Sequence, residues 1–348
     1  AARAGRVDVL EWALRRGVPR EPGPMSLAAL GGHVPVLQWL QAHDFPWDPQ
    51  AARSAVKGGS LAALAWLDSA RGGRPLALDT KLLCTAAEAG SVDMCEWLRA
   101  RGVRITEDVC RSAALRGCIP VLQWVRDALR ADCPWTTWTC EAAASGGHLE
   151  ALQWLHGAPW TTWTCEGVAS GGHLEALQWL HGEGCPWDAW SPKAAAFLGH
   201  LEVIKWLHSM GCPWDERTSY AAASEGHLDL LVWIHSHGCP WNSQAVKAAV
   251  MEGHLDVLKY LHAQGAPWDP HACCIAAAEG HLEVLQWLHD IGCGWSAETS
   301  MHAALRGHLY ALQWLRHQGC PWDSSTASAA WEMGEWDCYY WAVEHGCP

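Results

Sequence analysis

One glycine position recurs along this chain, at Gly5, Gly32, Gly59, Gly90, Gly117, Gly147, Gly172, Gly199, Gly226, Gly253, Gly280, Gly307 and Gly334. Nine of the twelve intervals are 27 residues, and the others are 31, 30 and 25. A period of this length restricts the fold to small units that bury their apolar surface against one another. It predicts a single array over residues 1–348 of about thirteen units, the first and last cut short. The period breaks around 69–79, 126–133 and 157–158. The first two breaks read as insertions bulging from the surface. The third, two residues short, reads as a local disturbance of the stack.

Each unit reads as two short helices. In "GHLEVLQWLHDIGC", Gly280 to Cys293, Leu282, Val284, Leu285, Trp287 and Leu288 give the apolar stripe of an amphipathic helix. Pro35 and Pro120, three residues after their glycines, fit only a helix that is just starting. Gly292 supplies a left-handed stop. The other helix lies between "PWD" and the next recurring glycine. Asp215 is its natural N-cap, and Asp48-Pro49 and Asp269-Pro270 place proline at the first helical position. The alanine pairs Ala222-Ala223, Ala276-Ala277 and Ala303-Ala304 let the two helices approach closely. The expected fold is an all-α solenoid of stacked helix-turn-helix units.

The segments "AAAEGHLEVLQWLHDIGC", "AALRGHLYALQWLRHQGC" and "AAASEGHLDLLVWIHSHGC" resemble the ankyrin repeat, and the resemblance runs along the whole chain. Ankyrin units usually have 33 residues, a projecting β-hairpin and a Thr-Pro-Leu-His opening. Here the unit has 27, "CPWD" stands where the hairpin would be, and the tetrapeptide is missing. The form is similar to the short, Trp-rich variant expanded in algae, protists and large DNA viruses. The resemblance implies a protein-binding scaffold, with the first helices lining a concave surface, and it implies no chemistry.

Of 26 tryptophans, 21 fall in two series. Twelve stand seven residues after the recurring glycine, with Tyr260 the one substitute, and nine stand in the loop, from Trp47 to Trp322. A residue required in every unit serves the unit, so both series are expected to pack neighbours together. The loop cysteines Cys133, Cys185, Cys212, Cys239, Cys293, Cys320 and Cys347 are separated by the ~8–10 Å of stacked helices. Disulfides need Cα atoms within ~7 Å, so reduced, buried thiols are expected. That points to a cytoplasmic or nuclear rather than a secreted protein.

The recurring Gly-His histidines (His33, His148, His173, His200, His227, His254, His281, His308) lie eleven to twelve residues from the loop cysteines. No C-x-x-C or H-x-x-x-H cluster occurs, which disfavours metal ligation within a unit. The histidines are expected to hydrogen-bond at the interhelix turn, and the vicinal Cys273-Cys274 reads as chance. Glu150, Glu175, Glu202 and Glu283 recur as a solvated face, and no nucleophile or phosphate-binding motif stands out. No enzyme activity, metal or cofactor is expected. A net charge of −13 argues against nucleic acid and anionic membranes as partners, and no apolar run reaches the ~18 residues of a membrane span.

Function should lie where the units differ. Positions nine, six and two residues before the recurring glycine share one face of the first helix and vary. The nine-before position carries polar residues along most of the array but Trp138, Trp163 and Trp190 in three successive units. Two of these belong to the near-identical stretches "CPWTTWTCEAAASGGHLEALQWLHG" and "APWTTWTCEGVASGGHLEALQWLHG". The six-before position adds Glu141, Glu166, Lys193, Tyr220 and Lys247, and the two-before position Phe197 and Met251. With Arg217, these predict an exposed aromatic ridge rimmed with charge that binds another protein, the chain acting as a monomer. The alternative is an architectural spacer, or a piece of a larger protein, since the array opens inside a first helix and stops before a loop Trp.

Overall fold

The alanine-rich segments and the "GHLEVLQWL" segments both fold as helices, as the pattern requires. The computed structural model describes all residues except 71–75, 77, 130–134 and 158. These residues form 25 α-helices and a short 3₁₀ turn at Ala2–Ala4, with no strand among them. The fold is an all-α repeat. Its contacts gather into two compact units, Ala1–Val168 with Gln178–Cys185, and Ala169–Leu177 with Pro186–Pro348.

Within each unit a short first helix and a nine-residue second helix alternate, as in Glu216–Ser224 with Leu228–Ser236 and Ser243–Met251 with Leu255–Ala263. First helices pack closely on one another, while successive second helices touch far less. Side-chain size explains the difference. Ala222, Ala223, Ala276, Ala277, Ala303 and Ala304 are fully buried, so the first-helix backbones meet with little between them. The second helices bury Val203, Ile204 and Leu207, then Leu230, Leu231 and Ile234, then Val257, Leu258 and Leu261. The expected stripe is narrower than read: Val284, Leu285 and Leu288 are buried, but Leu282 and Trp287 are only half-buried.

The recurring glycine meets two demands. At Gly226 the backbone has φ +73°, where a side chain costs ~1–2 kcal/mol. A Cβ there would also stand 2.7 Å from Nδ1 of His254 in the following unit. That ring lies over the turn because its Nε2 donates to the Ser224 carbonyl at 2.9 Å. The same bond joins His33 to Arg3, His148 to Leu115, His200 to Ser170, His227 to Phe197 and His281 to Met251. Each satisfies a carbonyl at the C-terminal end of a first helix, where intrahelical donors have run out. Six of the eight histidines thus bond at the turn as expected, but across a unit boundary.

The tryptophans close the opposite side. Several loop tryptophans bridge two second helices, as Trp214 does between His208 (4.3 Å between ring centroids, stacked) and Trp233 (6.2 Å, edge-on). Trp241 lies between His235 and Tyr260, and Trp295 between His289 and Trp314. Both Trp series pack, as their recurrence requires, except that Trp12 in the first unit is exposed.

Four helix boundaries differ from expectation. Asp215 caps its helix by accepting the Arg217 N–H at 3.0 Å. Asp48 and Asp269 likewise accept from Gln50 and His271, but the helices start only at Ala51 and Ala272. Pro49 and Pro270 therefore sit in the preceding turn. Two residues fewer at 157–158 shorten the helix Leu149–Trp154 to six residues. Of the extra residues at 126–133, the first four lengthen the helix Ile119–Leu129 to eleven and are no bulge. Cys133, Ala158 and most of the insertion at 69–79 lie outside the described residues.

Candidate binding face

The nine-before position sits at the N-cap or in the first turn of its first helix. Gln50, Lys81, Asp108, Arg217, Gln244, His271 and Glu298 are exposed there, and only Ser325 is half-buried. The three tryptophans follow the rule despite their size, with relative exposures of 54% at Trp138, 67% at Trp163 and 41% at Trp190. Burying an indole is worth several kcal/mol, so an exposed one is the costlier choice for a surface position.

In the unit that ends at Pro348, Trp190 opens the helix Trp190–Phe197, its N–H donated to the Asp188 carboxylate at 3.0 Å. Lys193 Nζ lies 4.3 Å from the centre of its ring and Arg217 Cζ 4.9 Å, so two cations stack on one indole. Arg217 comes from the following first helix and also lies 3.8 Å from Asp215. Tyr220, Phe197 and Met251 are exposed, and Lys247 is half-buried. At the two-before position the side chain is free while its carbonyl holds the next histidine. In the other unit Trp138 and Trp163 stand on the helices Thr137–Ser145 and Thr162–Ser170. Glu141 and Glu166 are half-buried beside them. Glu141 is not simply a rim charge, since its carboxylate accepts the Thr161 hydroxyl at 3.2 Å.

The residues set aside as framework behave as framework. Glu150, Glu175, Glu202 and Glu283 are solvent-exposed. Cys185, Cys212, Cys239 and Cys320 are buried, whereas Cys293 and Cys347 are half-buried. Cys212 and Cys239 donate to the carbonyls of Asp188 and Asp215, at 3.6 and 3.5 Å. Burial pushes their thiols up to about 12 and about 11. Cys185 goes the other way: Cys165 of the first helix donates to it at 3.2 Å, which lowers its pKa. The spacing between loop cysteines could not reveal this, because Cys165 lies outside the loop. No helix among the described residues is long and apolar enough to cross a membrane.

Paired helices, repeated turns and one exposed variable face define a helical repeat protein. Residues 219–262 and 245–289 match the family model described as "Ankyrin repeats (many copies)". Residues 219–289 are thus similar in sequence to ankyrin repeats. No curated protein matches the chain. Among solved structures it is similar to the human ASB11 ankyrin repeat domain, at 19% identity and a TM-score of 0.39, over 44% of this chain and 84% of that one.

Proposed function

We propose that this chain is a non-catalytic scaffold that holds another protein against the variable face of its first helices. Ankyrin repeats are generally protein-interaction scaffolds, and we take this face to be the concave one. The observation that carries the reading is the exposure of Trp138, Trp163 and Trp190 at a position that is polar in most units. Exposed Trp and Arg are the side chains that most often dominate binding energy. Around Trp190, Lys193 and Arg217 favour an acidic group set beside an aromatic or aliphatic one, and Phe197, Tyr220, Lys247 and Met251 extend the contact. Around Trp138 and Trp163, Glu141 and Glu166 favour a basic group. Thiols kept protonated by burial suit a reducing compartment, the cytoplasm or nucleus, and we take the working form to be a monomer.

The test starts from proteins captured from source cells by the wild-type chain. Affinity for a captured partner is then measured with Trp190→Ala and with the pair Trp138→Ala, Trp163→Ala. Loss of about 30-fold or more in either, corresponding to ~2 kcal/mol, is expected at unchanged thermal stability. Unchanged affinity in both sets of folded variants overturns the reading. Failure of the wild type to capture any protein favours the architectural spacer instead.

A further inference from the structure

Farther along the same variable face, beyond the residues assigned to the partner, three side chains converge across a unit boundary. Asp269 accepts the His271 N–H at 2.8 Å and so fixes the start of the helix Ala272–Ala278. Three residues on, Cys274 lies on the same side of that helix as His271. The next first helix, Ala297–Leu305, packs alongside. Its first turn is fixed by a capping box between Ser296 and Thr299, which places Glu298 next to the other two. One ligand atom of His271, one of Cys274 and one of Glu298 all lie within 4.8 Å of one another. It is the one such trio among the described residues.

We propose that His271, Cys274 and Glu298 form a zinc site that joins two successive repeats. Sulfur, imidazole and carboxylate donors together are a zinc-type set, and three protein ligands leave a fourth tetrahedral position for water. Bonds of ~2.0–2.3 Å place donors ~3.3–3.8 Å apart, so the trio must contract by about 1.5 Å at most. His271 and Glu298 are exposed and can rotate to do so, while half-buried Cys274 stays in place. Thr299 Oγ1 lies 3.4 Å from Cys274 Sγ and supplies the outer hydrogen bond that orients a ligand. The thiol gives its proton to solvent on ligation. Reading within one unit misses the site because Glu298 belongs to the next.

Co²⁺ serves as the probe, added to the full chain after chelation, reduction and removal of any tag. The expected result is one equivalent bound, with a thiolate-to-cobalt charge-transfer band that stoichiometric Zn²⁺ abolishes. Cys274→Ser should lose the band, and His271→Ala, an exposed substitution with little reason to disturb folding, should weaken binding at least 10-fold. Cys273→Ala, which changes the adjacent buried thiol, should keep both. Metal-free melting temperatures establish that the variants compared are folded. The proposal is overturned if the wild type shows no band, if folded Cys274→Ser keeps it, if His271→Ala binds with full affinity, or if Cys273→Ala abolishes it.

Discussion

Gly226 illustrates how much a single position carries in this fold. Its φ of +73° and the His254 ring 2.7 Å from where a Cβ would sit are independent demands. Gly226→Ala should therefore cost about 2–4 kcal/mol in chemical denaturation. Adding His254→Ala should recover the steric part and leave the backbone part. Asp44 offers the converse experiment. It holds φ 56° where Gly211 and Gly238 stand in other units, and Asp44→Gly should stabilise by about 0.5–1 kcal/mol. The recurrence of glycine was legible from the sequence alone, and so was the left-handed stop of a different glycine, Gly292, after the second helix. The contact of Gly226 with the histidine was not, because that partner lies in the next unit and only stacking brings it near. The exposure of Trp138, Trp163 and Trp190 was legible for a simpler reason: the polar residues at the same position elsewhere report a site open to water.

At the scale of the helix, two kinds of tryptophan separate. Trp214 is half-buried between His208 and Trp233, so Trp214→Ala should cost about 2–4 kcal/mol by opening the gap between second helices. Trp163, two-thirds exposed, should cost no more than ~0.5 kcal/mol when changed to Ala. Thermal melts of the two variants side by side distinguish framework from binding face without any partner. Helix ends were the least legible feature. Pro49 and Pro270 have a φ suited to the first helical position, yet the Asp48 and Asp269 carboxylates take the N–H two residues on and hold a separate turn. Where the period is two residues short, at 157–158, the second helix ends early, at Trp154.

Across the whole molecule, buried thiols set how stability responds to base. An ordinary thiol loses its proton near 9.0, and so does the unfolded chain. Burial pushes Cys95 and Cys212 up to about 12 and Cys140 and Cys239 up to about 11. Folded chains then hold more protons than unfolded ones between those values, so stability is full below pH 9 and falls as pH rises toward 11–12. The slope is at most ~1.4 kcal/mol per pH unit for each thiol. A Cys212→Ala, Cys239→Ala variant should show a shallower fall than the wild type in urea titrations at stepped pH. The central claim concerns which face meets the partner, and footprinting by hydroxyl radicals, read by mass spectrometry with and without the captured protein, tests it most directly. The account predicts that Trp138, Trp163 or Trp190 loses reactivity on binding while Trp214, Trp241 and Trp295 keep theirs. Protection of the second-helix and loop tryptophans, with the three first-helix indoles unchanged, would contradict it.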